Sequence, residues 1–477
     1  MPVEPGDQSG RSLRDTIVAL STAPGRGAIA IVRLSGPGAK GIAEKIFRPK
    51  SGEEPFKDRK FVYGRFTGPG GEAFDEGMAV FMAGPGSYTG EDVCEMFCHG
   101  GPAIVRALIE AACDAGARPA GPGEFTRRAF LEGKIDLLQC ESVADLVSAE
   151  TGRAARAALS HLSGALSGEI ESIWEEIVEV GAHIEAAIDF PDEFEPGAGP
   201  APSPAPMGEQ ELAIRFSEIA GKLRALEETY RSGRILREGA RVAILGRPNA
   251  GKSTLLNRLL GTDRAIMSPH PGTTRDTVEE VCDIGGIPVR LIDTAGLRET
   301  GDPIEIEGAE RARRAAEEAD LCLVMMDAAA GREEAEWARA EVGIPGYSAI
   351  LVANKMDLPG ARLPGDDALA ARACAISALS GEGVDALREA IAASLAGDGE
   401  GFSAGDQRLL TRERHRDLVA KCRKAIERGR DALDESASPE LVAVDLNEGQ
   451  RALSELLGRD YGPALLDKIF STFCIGK

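Results

Sequence analysis

No apolar run in these 477 residues approaches the roughly 20 needed to cross a bilayer as a helix, so membrane insertion is not expected. The segment Met1 to Arg14 is polar and carries Pro and Gly, which excludes a signal peptide there. The nine cysteines are scattered without a spacing framework, as suits a reducing compartment, and a cytoplasmic location is expected. Cys94, Cys98 and His99 invite a metal reading, but no second ligand pair accompanies them. The alternation Cys94, Met96, Cys98 predicts the inward face of a strand instead. Positive charge is also scarce: 55 Lys and Arg stand against 77 Asp and Glu, a formal net charge of −22. Bulk charge therefore cannot drive nonspecific binding to nucleic acid, and such a partner needs a local basic surface.

Residues 408–430 offer one. Arg408, Arg412, Arg414, Arg416, Lys421, Arg423, Lys424, Arg428 and Arg430 outnumber Glu413, Asp417 and Glu427. Leu418, Cys422, Ala425, Ile426 and Leu433 fall at helical spacing, so the segment reads as a basic-faced helix or as a solvated face that contacts nothing.

What is present is more telling. The run Gly246-Arg247-Pro248-Asn249-Ala250-Gly251-Lys252-Ser253 follows the apolar Val242-Ala243-Ile244-Leu245 and precedes Thr254-Leu255-Leu256-Asn257. Strand, glycine loop and helix form the setting in which G-x-x-x-x-G-K-[ST] cradles phosphate with inward N–H groups and the helix dipole. Asn249, Ala250, Gly251, Lys252, Ser253 and Thr254 are the expected phosphate contacts, with Ser253 on Mg²⁺. Asp293-Thr294-Ala295-Gly296 closes a second apolar strand at Val289–Ile292. Its carboxylate can hold Mg²⁺ through water and Gly296 can approach the γ-phosphate. Asn354-Lys355-Met356-Asp357 follows Ala349–Val352. Asp357 can accept two hydrogen bonds from a guanine edge, where adenine offers one donor, so GTP is favoured over ATP. Ser377-Ala378-Leu379 would complete the base pocket. Thr274, within Gly272-Thr273-Thr274-Arg275-Asp276, is placed to ligate Mg²⁺ when the γ-phosphate is present.

Leu297 stands where many GTPases carry a water-positioning glutamine, and leucine can neither orient water nor stabilise charge. Asn249 could instead bind a monovalent cation against the phosphates, or simply cap the loop. Carbonyls of Ser268-Pro269-His270-Pro271 are placed to complete such a cation's shell, since proline keeps its C=O.

A chain of this length should hold roughly three domains. Strands are expected at Thr16–Leu20, Ala28–Leu34, Phe61–Phe66, Met78–Met82 and Asp92–Cys98, an α+β domain over residues 1–132. Leu159, Leu162, Leu166, Ile170, Ile173, Ile177, Ile184 and Ile188 recur at helical intervals and predict a long amphipathic run. Pro196 to Pro206 reads as a linker. The economical organisation is an α/β GTPase domain at 239–398 inserted between helical parts at 133–238 and 399–477.

The chain ends in Phe473-Cys474-Ile475-Gly476-Lys477. Gly476 is not aliphatic and Lys477 is not an accepted terminal residue, which rejects prenylation. By chemistry alone, Cys474 is either a reactive thiol or merely an exposed one. With this tail, the turn Pro24-Gly25-Arg26-Gly27, Gly90-Glu91-Asp92-Val93, Gly121-Pro122-Gly123-Glu124-Phe125-Thr126 and the inserted GTPase motifs, the whole chain resembles the MnmE/TrmE family, the bacterial tRNA uridine modification GTPases.

That resemblance implies a Ras-like P-loop GTPase domain, a helical domain and an N-terminal folate-binding-like domain that joins a homodimer. It implies 5-formyl- or 5,10-methylene-tetrahydrofolate at Arg33, Glu95, Lys134 and Lys477, types that suit an anionic glutamyl tail and a pterin donor edge. It implies K⁺ held by Asn249, Thr273 and the carbonyls of Ser268 and His270, with GTPase domains pairing when GTP is bound. The water-positioning acid maps to Glu305, which sequence alone cannot choose over Glu299, Asp302 or Glu307. An FAD-dependent tRNA modification protein is implied as partner, in a heterotetramer acting on C5 of the tRNA wobble uridine, with Cys474 a candidate participant. The alternative is a ribosome-assembly GTPase acting as a binding switch, but no GXXG-bearing RNA-binding pattern is evident in the C-terminal helical stretch. A P-loop ATPase conflicts with Asn354–Asp357.

Overall fold

The computed structural model describes residues 15–50, 56–189, 207–262, 280–293, 316–342, 348–363, 373–396, 408–435 and 437–477. They fall into two compact units, Met1–Ala144 with Ser454–Lys477, and Asp145–Leu453.

The first unit holds β1 (Ile17–Leu20), β2 (Ile29–Ser35), α1 (Ala39–Ile46), β3 (Phe47–Pro49), β4 (Val62–Thr67), β5 (Ala73–Met82), β6 (Val93–His99), α2 (Pro102–Asp114), β7 (Arg118–Pro119) and α3 (Glu124–Leu131). Its sheet runs β3-β4-β5-β6-β2-β1-β7. The expected alternation appears in β6: Cys94, Met96 and Cys98 are all buried in one core with Val32, Leu34, Phe66 and Leu108. Burial pushes the Cys94 thiol up and Cys98 to about 11, so both cysteines are packing residues. His99 binds Asp75 at 2.7 Å instead of joining them. α4 (Leu137–Ser148) leads toward the second unit.

The second unit opens with α5 (Gly152–Leu162) and α6 (Ala165–Asp189), which corrects the expected single run. Gly164, at φ 90°, breaks it and rotates the buried stripe of α5 onto Ala154, Ala157, Ala158 and His161. Leu159 is consequently 51% exposed. Helices α7 (Glu209–Glu228) and α8 (Tyr230–Glu238) lead into β8 (Ala240–Gly246), α9 (Lys252–Thr262), β9 (Glu280–Ile284), β10 (Ile287–Asp293), β11 (Leu321–Asp327), α10 (Arg332–Val342), β12 (Ala349–Asn354), β13 (Cys374–Ala375) and α11 (Val384–Ala396). The sheet order is β13-β12-β11-β8-β10-β9. Every pair is parallel except β9–β10. A parallel sheet covered on both faces has unbroken apolar strands, and β11 is buried from Leu321 to Met326. Helical elements grip the β9–β10 hairpin: the Thr151 hydroxyl donates to Gly286 O at 2.8 Å, and Arg290 pairs with Glu150 at 3.4 Å.

α12 (Glu413–Asp434) and most of α13 (Pro439–Leu457) continue this unit, while the end of α13 from Ser454 and α14 (Pro463–Ser471) belong to the first. Cys422, Ala425 and Ile426 bury one face of α12. Its basic face is charge-compensated. Arg423 meets Glu227 and Glu427 at 2.8 Å, Arg428 meets Asp445 at 2.8 Å and Glu448 at 2.6 Å, and Arg416 meets Asp417 at 2.6 Å. These ion pairs offset part of the positive charge on that face. Among the described residues no helix is long and apolar enough to cross a membrane.

Candidate functional site

The loops that leave β8, β11 and β12 emerge together at the C-terminal edge of the sheet, where open parallel sheets bind ligands. β8 lies between β11 and β10, so the loop at Gly246–Gly251 sits at the topological switch. Asn249 has φ 63° and Gly251 has φ 97°, a left-handed bend that rings the loop. Lys252 Nζ donates inward to Gly246 O at 2.7 Å and Arg247 O at 3.0 Å. α9 starts there, with Ser253 and Thr254 exposed in its first turn and Leu255 and Leu259 fully buried against the sheet.

One side chain ties three of the expected loops together. Asn354 is 2% exposed. Its Nδ2 donates to Ala250 O at 2.8 Å, and its Oδ1 accepts the Ala378 N–H at 2.9 Å. Met356 N–H donates to Ile376 O at 3.1 Å, which holds the Asn354–Asp357 turn against the Ser377–Leu379 loop. Ser377 is buried, while Asp357 and Leu379 lie exposed on the open rim. Arg258 Nε, from α9, donates to Ala378 O at 3.2 Å. Asn249 to Thr254, Asn354, Lys355, Asp357 and Ser377 to Leu379 therefore converge. Asp293 ends β10, in register with Ile244. Ser268, His270, Thr273, Thr274, Thr294, Ala295, Gly296, Leu297 and Glu305 lie outside the described residues, as does the 196–206 linker.

Two contributors escape motif reading. Arg258 fastens the base-side loop, and Asp327 binds Lys355 Nζ at 2.6 Å. A carboxylate closing the apolar run of β11 was the available signal for Asp327; Arg258 had none.

The first unit carries a second polar cluster. Arg33 and Glu95 are partners in the β2–β6 register, with Arg33 Nε and Nη2 at 2.8 and 2.7 Å from Glu95 Oε1. The guanidinium lies 5.7 Å from the Tyr88 ring centre and 5.6 Å from that of Phe125, a double cation–π sandwich. The chain's tail folds onto the same place. Ile475 bridges Pro122, and the Phe125 N–H donates to Lys477 O at 3.2 Å. Gly476 has φ 99°, and a Cβ there would sit 2.0 Å from Leu20 O, so a side chain at this point would unseat the tail. Arg33 and the Lys477 main chain thus share Phe125 as a neighbour, and Glu95 joins them through Arg33. Lys134 Nζ donates to Pro85 O at 2.8 Å, in the loop that carries Tyr88. Cys474 is exposed.

The same unit holds a buried charge network. Arg128, 2% exposed, reaches Asp15 at 2.9 Å, Glu91 at 3.1 Å and Glu124 at 3.0 Å. Arg118 adds bonds to Asp15 and Glu124, each at 2.6 Å. Burial alone would raise the Glu124 carboxyl, but hydrogen bonds from Arg118 and the Gly121 N–H outweigh it and bring it down to about 2.

Residues 16–134 match the family model of the GTP-binding protein TrmE N-terminus, and residues 137–474 match that of the MnmE helical domain. A tRNA modification GTPase MnmE of Symbiobacterium thermophilum is 46% identical over 472 residues, covering 97% of this chain and 99% of that one. The namesake from Syntrophotalea carbinolica is 42% identical over 464 residues, again covering 97% and 99%. Among solved structures, a variant of Aquifex aeolicus Era bound to GDP.AlF4- is 32% identical, covers 39% of this chain and 66% of that one, and has a TM-score of 0.25. A likeness that runs at such identity through both units, over a phosphate loop and a guanine-type loop held by one asparagine, shows that the chain belongs to the MnmE/TrmE family of tRNA modification GTPases and is a GTP hydrolase.

Proposed function

We propose that this chain is a K⁺-dependent GTPase that, with an FAD-dependent partner and a tetrahydrofolate carbon donor, builds an aminomethyl-type group on C5 of the tRNA wobble uridine. The observation that supports this reading is the seating of the tail: the Lys477 main chain bonds the Phe125 backbone, and the Arg33 guanidinium lies over the Phe125 ring. A GTPase that served only as a binding switch has no use for a C-terminal tail seated beside an Arg33–Phe125 cation–π pair.

In this reading the parts are an N-terminal folate-binding and dimerisation domain at 1–132, helical parts at 133–238 and 399–477, and the GTPase domain at 239–398. The assembly is a homodimer that forms a cytoplasmic heterotetramer with its partner. 5-Formyl- or 5,10-methylene-tetrahydrofolate supplies the carbon when bound. Arg33, Lys134 and Lys477 bind its anionic tail, Glu95 accepts from its donor edge, and Cys474 takes part in the uridine or one-carbon chemistry. Lys252 exchanges its loop carbonyls for the β- and γ-phosphates of GTP. Ser253 and Thr274 bind Mg²⁺, Asp357 reads guanine, and Glu305 orients water. Asn249, exposed in a left-handed bend, presents a neutral carboxamide oxygen that suits an alkali ion. With Ser268, His270 and Thr273 it holds K⁺, whose charge stands where an arginine finger otherwise acts.

Turnover of GTP is expected to be on the order of a hundredfold slower in Na⁺ than in K⁺, the scale of losing one preorganised positive contact in the transition state. Equal rates in the two salts would reject the cation model. Tetrahydrofolate binding, read by calorimetry on the full chain, should weaken at least about tenfold in Arg33→Ala, through loss of a charge-assisted contact. Undiminished binding would move the folate elsewhere.

A further inference from the structure

We propose that Asp327 is a positioning residue for guanine nucleotides, holding Lys355 and the turn it begins in their binding shape before the ligand arrives. The proposal rests on the reading of Lys355 as part of the nucleotide site. Asp327 lies in no phosphate or base motif. It is the last residue of β11, paired in register with Asn354. One of its carboxylate oxygens accepts the Ala329 N–H at 2.9 Å, and the other lies 2.6 Å from Lys355 Nζ. The backbone therefore fixes the carboxylate, and the carboxylate fixes the ammonium.

The turn needs such a hold. Lys355 has φ 67°, a left-handed conformation that side-chain-bearing residues adopt reluctantly. Around it the bonds run both ways: Ala328 N–H donates to Asn354 O at 2.9 Å, and Arg362 N–H donates to Ala328 O at 3.0 Å. The pair is half-buried, at 30% and 20% side-chain exposure, so it is screened less than a surface ion pair. A free lysine samples many rotamers, and a tethered one presents its methylene stem as a fixed edge to a flat base. Preorganisation of this kind is worth affinity without any contact to the ligand. Because the pair sits at the base end of the site, GDP and GTP should feel it alike.

The test is a double-mutant cycle on the full chain, titrated with N-methylanthraniloyl-GDP. Asp327→Asn keeps an acceptor for the Ala329 N–H and removes the charge. It should bind the GDP and GTP forms of this probe alike and roughly tenfold more weakly, a normal coupling for contacting residues. Added to Lys355→Ala, it should cost nothing further. Additive losses, or wild-type affinity in Asp327→Asn while Lys355→Ala is weakened, would overturn the role of Asp327 alone. Wild-type affinity in Lys355→Ala would overturn both this role and the reading of Lys355.

Discussion

Gly251→Ala is expected to abolish useful nucleotide binding while leaving the fold in place. Gly251 has φ 97°, and a Cβ there would lie 2.3 Å from Asn354 Nδ2. That amide cannot swing aside freely. It is buried, its Nδ2 is bonded to Ala250 O, and its Oδ1 holds the Ala378 N–H. Displacing it leaves buried backbone groups unpaired, about 1–3 kcal/mol each, and the left-handed backbone adds about 1–2 kcal/mol for a residue with a Cβ. A total of about 3 kcal/mol borne by the site corresponds to at least about a hundredfold loss of affinity. The measurement is a fluorescence titration with GDP beside a far-UV circular dichroism spectrum. A near-normal dissociation constant would show that the loop can open around a methyl group, against the close packing described here.

The second large effect is expected at Arg128, which lies in no nucleotide motif. Arg128→Met should destabilise the first unit by about 3–5 kcal/mol, the cost of breaking a buried ion pair by removing one partner. Asp15 and Glu124 keep Arg118, and Glu91 keeps the Ser35 hydroxyl at 2.7 Å. The acidic cluster nevertheless loses the cation that all three carboxylates share. Hydrogen exchange followed by mass spectrometry on the full chain reads this directly: peptides covering β1 and β2 should lose protection, while those covering β8 should not. Protection equal to wild type in β1 and β2 would reject the network's structural role.

The same network sets an acid limit in the wild-type chain. Glu124 sits below its ordinary 4.5, at about 2. Its folded form is thus the weaker proton binder, and its contribution is complete above about 4.5 and lost as pH falls toward 2. Protection of β1 and β2 should therefore stay level from pH 7 to 5 and decline below that. In Arg128→Met one of the two guanidiniums beside Glu124 is gone, so the decline should be somewhat shallower.

Local chemistry was legible without coordinates. A strand, a glycine loop ending in Lys252-Ser253 and a helix form one contiguous unit, because cradling a phosphate needs only neighbouring N–H groups and a helix start. The inward alternation of Cys94, Met96 and Cys98 was legible for the same reason, since a strand's two faces repeat every second residue. The resemblance carried by Cys474-Ile475-Gly476-Lys477 pointed to Arg33, Glu95 and the tail. That Phe125 is where Arg33 and the tail meet appeared only in the fold.

Long-range pairing was beyond reach of the chain read as text. Asn354 meets an Ala250 carbonyl 104 residues away, and Asp327 meets a lysine 28 residues on, because parallel strands bring their C-terminal ends to one edge. That Glu227, Asp445 and Glu448 of other helices pair with the basic run on α12 was likewise visible only in the fold. Charge composition counts residues, whereas the field at a surface depends on which side chains stand opposite. The sequence by itself determined the strand, loop and helix that bear each motif. Tertiary structure alone decided which distant groups hold those motifs in place, since packing, and not proximity along the chain, sets the distances over which hydrogen bonds and charges act.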